Sequence, residues 1–227
     1  MRWLIHPGEQ PLFGHERGCE RFEQRLLRFS GPAAAAKDEE ADDVLFVLGG
    51  SGTVEVGGRH VQLAPGAAVY AAARTPWRVT EADSLEIISV RVPDPEPGAP
   101  YATVPADDAP AGTATAGRSF RLLACPAVGC NSVTQFIGLI PPGRAPDHYH
   151  LYDEVIYVLD GEGTLEIDGE QAPIRPATCI HLPRTLVHCL ANTGDREMRV
   201  LGVFRPAGSP AEAYYPDGTA AVVPEED

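Results

Sequence analysis

The chain of 227 residues lacks features that define several large classes of proteins. It has no apolar run near the roughly 18 residues of a membrane span, so no membrane partner is expected. Its 18 Lys and Arg stand against 32 Asp and Glu, and a net charge of -14 repels phosphate backbones. Nucleic acid is therefore not an expected partner either, and the charge is read as a source of solubility. The opening MRWLIHPGEQPLFG has Pro and Gly where an export signal needs an apolar stretch, which predicts a cytoplasmic protein.

Paired cysteines and amphipathic helices are also missing. The five cysteines form no Cys-x-x-Cys pair, which favours reduced thiols over disulfides or a zinc-thiolate site. Short runs rich in β-branched and aromatic residues, such as VLFVL, GTVEV and EVIYVL, alternate with turn signals such as LGGSG and LDGEG. The segment 19–29 is also predicted as a strand, because its repeat partner 131–140 has a strand-like sequence. The pattern predicts an all-β fold.

The sequence repeats at a separation of 111 residues. Segment 42–56 (DDVLFVLGGSGTVEV) aligns with segment 153–167 (DEVIYVLDGEGTLEI), and eight of the fifteen positions are identical. A period this long indicates two copies of a whole domain rather than a solenoid. The predicted domains are residues 1–92 and 118–227, joined by a linker over 93–117 that is dense in Pro, Ala and Gly.

One group of residues in the second copy points to metal chemistry. His148 and His150 are two apart, so on a strand both imidazoles project to the same face, and Glu154 follows on the strand EVIYVL. With His188 they supply three imidazoles and one carboxylate, a ligand set suited to Fe(II), Mn(II), Ni(II) or Zn(II). Four protein ligands leave open positions on an ion that prefers five or six, which favours a catalytic site. Each histidine alone would be read as a polar strand or core residue; their joint spacing favours a metal.

The spacing of these residues resembles the cupin superfamily, whose motifs are G-x5-H-x-H-x3-4-E-x6-G and G-x5-P-x-G-x2-H-x3-N. The second copy matches the first motif, with one residue fewer after the first Gly, at Gly143, His148, His150, Glu154 and Gly161. It matches the second motif at Pro183, His188 and Asn192, and has Ala177 and Thr185 at two glycine positions. The resemblance covers nearly the whole chain. It implies two tandem jelly-roll β-barrels with one divalent metal ion inside the second.

The resemblance also implies an enzyme that acts on a small oxygenated molecule, as a dioxygenase, decarboxylase, isomerase or hydrolase. Neutral imidazoles, one carboxylate and a divalent ion leave the site positive, which favours an anionic or enediol substrate. The alternative is a non-catalytic cupin that binds a sugar or small acid, or a structural protein. The sequence leaves the substrate, the reaction and the metal open, and both a monomer and a homodimer are compatible with it.

The first copy lacks this ligand set. At the shift of 111 residues its four ligand positions hold Lys37, Glu39, Asp43 and Trp77. No metal is expected there, and the first domain is predicted to be structural, with the indole of Trp77 filling the vacated pocket.

Three further polar residues are candidates for binding the substrate. Gln135 interrupts an apolar strand, His181 lies on the predicted strand TCIHL, and Arg144 has the guanidinium to hold a carboxylate at the barrel mouth. Gln24 occupies the place of Gln135 in the first copy, which leaves a structural role for Gln135 equally open. Tyr157 is expected to point away from the metal and to pack outside its barrel.

Overall fold

β-Strands make up nearly all of the regular structure. The structure is a computed structural model and describes residues 3–5, 12–34 and 40–221. The first strands are β1 (Leu4–Ile5), β2 (Glu23–Phe29), β3 (Ala33–Ala34), β4 (Ala41–Val56), β5 (Arg59–Leu63), β6 (Ala67–Ala71), β7 (Trp77–Pro93) and β8 (Tyr101–Pro105). They are followed by β9 (Ala111–Thr113), β10 (Ser119–Leu122), β11 (Thr134–Ile140), β12 (Gly143–Arg144), β13 (Asp153–Asp160), β14 (Gly163–Ile167), β15 (Glu170–Ile174), β16 (Cys179–Leu182), β17 (His188–Asn192) and β18 (Met198–Arg205). Short 3-10 helices span His15–Arg17, Ala106–Asp108 and Pro126–Val128. The all-β prediction is confirmed, and no helix in the described ranges has the length and apolar character of a membrane span.

The repeat of 111 residues is present in the backbone as well as in the sequence. At that separation β2 recurs as β11 and β5 recurs as β15. Residues with a left-handed backbone recur with them, in the pairs Gly18 and Gly129, Gly50 and Gly161, Gly57 and Asp168, Gly58 and Gly169, Gly66 and Ala177, and Arg74 and Thr185. Ala177 and Thr185, which replace motif glycines, therefore keep the conformation that glycine favours.

Strands β2 to β8 form the N-terminal unit. Its sheet has the order β2-β7-β4-β6-β8, with β3 added on β7 and β5 on β4. The two longest strands, β4 and β7, pair along their length, and irregularities of register between Val47 and Val54 bend them. Side chains on the inner face of the bend, among them Leu45 and Trp77, form an apolar core of their own.

Strands β9 to β18 form the C-terminal unit, in which each long strand of the first unit is broken in two. One antiparallel sheet has the order β1-β16-β13-β18-β11-β10-β9, and the other has the order β12-β17-β14-β15. Their facing side chains, such as Ile156, Leu165 and Leu190, form the core between the two sheets.

A further apolar cluster joins the two units. It includes Val44, Phe46 and Tyr70 of the N-terminal unit together with Val155 and Tyr157 of the C-terminal unit. Side chains alternate between the two faces of a strand, so one face of β4 and β13 fills its own unit while the other fills the contact between units. Tyr157 therefore packs outside its own unit, as predicted.

Two segments cross the boundaries that the sequence predicts. β1 pairs with β16 of the C-terminal unit, although the sequence assigns it to the first domain. Within the predicted linker 93–117, β8 extends the N-terminal sheet on β6, and β9 pairs with β10 of the C-terminal unit. This segment thus adds a strand to each unit, and the boundaries at 92 and 117 stay predictions.

Candidate metal centre

Three histidines converge beside the start of β17. His148 and His188 are joined by an antiparallel bridge, with N–H to carbonyl distances of 3.1 and 2.9 Å, and their ring centroids are 4.6 Å apart. The ring of His150 lies 5.1 Å from that of His148 and 5.2 Å from that of His188. One possible ligand atom from each ring lies within 4.8 Å of the other two. The five cysteines are free thiols outside this group.

A backbone carbonyl orients each of the three rings. The Nδ1 atoms lie 3.0, 2.7 and 2.9 Å from carbonyl oxygens, in the pairs His148 with Pro146, His150 with Glu212, and His188 with Leu186. A carbonyl only accepts hydrogen bonds, so each Nδ1 carries the proton and donates it. The lone pair of each Nε2 is then free for a metal ion, which is the usual arrangement of metal-binding histidines.

Burial keeps these imidazoles neutral. His148 and His188 are only 7% and 3% exposed. Burial lowers the pKa of His148, lowers that of His150 to about 3 and lowers that of His188 well below its usual value. The positive charge of Arg118 lowers all three pKa values further. Neutral imidazole is the form that binds a transition metal, so near neutral pH none of the three rings has to lose a proton first.

Glu154 lines the same cavity from the beginning of β13. Its side chain is 4% exposed and has no hydrogen bond with the described part of the chain. Burial raises the pKa of this carboxyl to about 8, and the charge of Arg118 opposes that rise. A buried carboxylate without a partner is suited to a cation. Glu154 stands outside the group of three close ligand atoms, so its role as fourth ligand stays a prediction.

The cavity around these groups is small and has mostly apolar walls. Its volume is about 80 Å³. The walls include apolar side chains of the C-terminal unit and of the segment that follows β18, among them Phe120, Phe136, Ile140, Leu190, Pro210 and Ala213. Thr115, Ser119 and Tyr152 also belong to the lining, and Arg118 brings a guanidinium to it. Arg118 was not among the sequence candidates. It stands directly after the predicted linker 93–117, where no motif or spacing marks it.

A stack of aromatic rings packs against the imidazole of His150. The ring of His150 stacks on Tyr152 at 4.5 Å and 8°, and Tyr152 stacks on Phe204 at 4.0 Å and 20°. Phe136 meets Phe204 edge-on at 5.8 Å. This packing restricts rotation of the His150 ring, which a metal ligand requires.

The structure does not bring Gln135 or His181 to the cavity. Gln135 follows the strand alternation opposite to Phe136, which lines the cavity, and its buried amide has no hydrogen-bond partner among the described residues. His181 lies on the face of β16 that meets the N-terminal unit, with its ring 5.8 Å from that of Trp3 and 5.6 Å from that of Phe13. Because side chains alternate along a strand, neither residue lines this cavity.

Arg144 is also outside the cavity. Its guanidinium is bound to Asp147 at 2.7 Å and to Glu166 at 2.8 Å on the exposed surface. These ion pairs raise its pKa. Two protein carboxylates thus already occupy the guanidinium to which the sequence assigned a substrate carboxylate.

The N-terminal unit closes the corresponding space with its own side chains. Trp77, in the place of His188, is 4% exposed and donates a hydrogen bond of 2.8 Å to Asp43, in the place of Glu154. Arg91 pairs with the same carboxylate at 3.2 Å. Lys37 and Glu39 lie outside the described residues. The filling role predicted for Trp77 agrees with this arrangement.

Two β-units, one of which encloses three converging neutral imidazoles, define a candidate metal-binding β-protein. Residues 8–128 match the family model of the AraC-binding-like domain, and residues 136–204 match that of the Cupin domain. The chain belongs to the cupin superfamily.

Two named proteins are similar to parts of this chain. Polyketide synthase CurC of Streptomyces cyaneus is 29% identical over 113 residues, which cover 48% of this chain and 73% of that protein. L-ectoine synthase of Aliivibrio fischeri is 35% identical over 77 residues, which cover 34% of this chain and 60% of that enzyme.

Solved structures confirm the predicted cupin jelly-roll fold. A Cupin 2 conserved barrel domain protein from Leptotrichia buccalis aligns with a TM-score of 0.61 at 14% identity, over 89% of this chain and 88% of that one. Oxalate decarboxylase from Bacillus subtilis, in a structure concerned with its Mn(II) centres, aligns with a TM-score of 0.67 at 13% identity, over 91% of this chain and 73% of that one.

Proposed function

We propose that this protein is a two-barrel cupin enzyme with one divalent metal ion, Mn, Fe, Ni or Zn, in its C-terminal unit. His148, His150, Glu154 and His188 would hold the ion. The observation that carries the proposal is the common orientation of the three imidazoles, each with Nδ1 bound to a carbonyl and Nε2 free. The Mn(II) centres of the similar oxalate decarboxylase support a metal in such a site.

The substrate in this proposal is a small oxygenated, anionic metabolite. The bound metal supplies a Lewis acid that polarises substrate oxygens. The chain's own groups have three roles. Neutral imidazoles would bind the ion, Glu154 would offset part of its charge, and the apolar walls would exclude bulk water. The choice among dioxygenase, decarboxylase, isomerase and hydrolase chemistry is left open, because one cupin site supports many reactions.

A second candidate function is non-catalytic, as a binding or structural protein. It is favoured by the N-terminal unit, where Trp77, Asp43 and Arg91 fill the equivalent space and the fold persists. The two functions differ in one measurable respect, because only the enzyme needs turnover at the C-terminal site.

The metal content of the purified protein tests the site. We expect one equivalent of a transition metal in the wild type after metal-replete expression, and loss of most of it in His148→Ala and His188→Ala. His60→Ala removes an exposed histidine on β5 and should keep the metal. A wild type without metal would contradict the proposal.

Catalysis needs a separate test. Small oxygenated acids would be screened with the metal-loaded protein, with Glu154→Ala as the comparison. Turnover that falls at least about a hundredfold in Glu154→Ala, at equal protein fold by circular dichroism, supports the enzyme. Metal without turnover on any acid favours the binding function. An anomalous-scattering map at the four ligands would identify the ion.

A further inference from the structure

Arg118 enters the metal cavity from a hairpin that precedes the matched Cupin domain. It follows the turn between β9 and β10, where its backbone is bonded to Ala114 and Thr115. Its guanidinium lines the same cavity as the three histidines and donates a hydrogen bond of 2.5 Å to the carbonyl of Leu190. Backbone and side chain are therefore both anchored, and the group is held in place before a ligand binds.

No carboxylate of the described residues forms an ion pair with Arg118. The hydrogen bond to Leu190 uses only one of the several N–H donors of Arg118. Glu154 acts on Arg118 electrostatically, but Glu154 is the expected metal ligand. The positive charges of a divalent ion and of the Arg118 guanidinium exceed the single negative charge of Glu154. The cavity is then positive, which favours an anion. A guanidinium with free N–H groups matches the two oxygens of a carboxylate.

The rest of the cavity limits what that anion can be. The side chains of Phe120, Phe136, Ile140 and Leu190 offer no hydrogen bonds. Thr115, Ser119 and Tyr152 also belong to the lining, but they have only one hydroxyl each. A ligand with many hydroxyl groups, such as a sugar, would therefore leave most of them unpaired at a considerable cost. The cavity of about 80 Å³ is smaller than the engineered cavity of about 150 Å³ that accepts benzene, so the ligand has few heavy atoms.

We propose that Arg118 is the specificity-determining residue of this site, where it binds the carboxylate of a short-chain, otherwise apolar acid beside the metal. This inference rests on the metal site proposed above. It replaces the role that the sequence suggested for Arg144, whose guanidinium is already paired on the surface.

The test compares a charged and an uncharged probe of the same shape. Propionate and propionamide would be titrated into the Co(II)-loaded protein, and the visible absorption of the cobalt would report binding. The proteins are the wild type, Arg118→Met, Arg118→Lys and the matched surface control Arg144→Met, each with its metal content measured. We expect Arg118→Met to weaken propionate binding at least about tenfold, since it removes a charge-assisted hydrogen bond. Propionamide affinity should change less than about twofold, Arg118→Lys should recover part of the loss, and Arg144→Met should bind propionate like the wild type.

The outcomes separate this inference from the proposed function. A wild type that binds no metal overturns both. Normal metal content with unchanged propionate affinity in Arg118→Met overturns the role of Arg118 alone. Loss of metal in Arg118→Met would make the residue structural, and equal weakening by Arg144→Met would mean a general effect of surface charge; each also overturns the inference. A metal-loaded wild type that binds neither probe contradicts the assigned ligand class.

Discussion

At the candidate site, hydrogen bonds to neighbouring residues fix the orientation of single side chains and the conformation of single backbone positions. The Nδ1 proton of each histidine is committed to a carbonyl, so only Nε2 faces the cavity. Close by, the amide of Thr185 donates a hydrogen bond of 2.7 Å to the carbonyl of His150, although Thr185 has a φ of 66°. Ala177 has a φ of 67° in a second turn. These turns thus keep a left-handed geometry with side chains that disfavour it.

Glycine at these two positions should therefore stabilise the protein. We expect Thr185→Gly to raise the free energy of unfolding by about 1 kcal/mol and Ala177→Gly by about 0.5 kcal/mol, because relief of left-handed strain exceeds the added chain entropy. Urea denaturation measures both. Ala172→Gly, on the extended strand β15, is the control and should lose about 0.5–1 kcal/mol. Destabilisation by Thr185→Gly would show that its side chain contributes more than the strain costs.

At the scale of elements, strand β18 determines how much space the side chains of the site have. Gly202 lies on this strand opposite Ile156 of β13. A Cβ added there would be 2.3 Å from the ring of Phe136 and 2.9 Å from Oε1 of Glu154. The missing side chain at this position provides the space in which the carboxylate and the aromatic wall lie.

Gly202→Ala should disturb both the fold and the site. We expect a loss of about 1–3 kcal/mol in unfolding free energy from overpacking, and weaker metal binding because Glu154 is displaced. Thermal unfolding and a metal-competition titration would measure the two effects. Gly49→Ala, on β4 with nothing within 4 Å of the added Cβ, should cost no stability and should leave metal binding unchanged. Wild-type metal affinity in Gly202→Ala would argue against Glu154 as a ligand.

On the scale of the whole molecule, the two units are joined by one buried cluster. Phe46 and Tyr157 lie in it with residues from both sheets, and β1 adds an N-terminal strand to the C-terminal unit. Shared burial of this kind makes the unfolding of one unit costly for the other. We therefore expect the chain to unfold as one cooperative unit.

Metal binding in the C-terminal unit should then stabilise the N-terminal unit. In Trp3→Phe, Trp77 is the remaining tryptophan and reports on the N-terminal core. Free metal at 100 times its dissociation constant should add about 2.7 kcal/mol to the transition followed by Trp77 fluorescence, and a chelator should remove it. His188→Ala in the same background should show no shift. A Trp77 transition that does not respond to metal would mean that the units unfold independently.

The sequence alone was sufficient for the local and periodic features. The β-pattern predicted the strands, and the repeat predicted that β2 and β11 have the same place in their units. The spacing of His148, His150 and His188 predicted three side chains that meet. Strand alternation and a shift of constant length carry the first two predictions and the pairing of His148 with His150. That His188 joins them was implied by the resemblance to the cupin superfamily.

Only the tertiary structure decided which polar residues face the cavity. Arg144 and Arg118 carry the same charge, but ion pairs keep the first on the surface. The hairpin that begins in the predicted linker brings the second to the cavity of the histidines. Gln135 and His181 lie on the correct strands with the opposite orientation. Contacts between strands far apart in sequence determine these outcomes, because which face of a strand becomes buried depends on the sheet that packs against it.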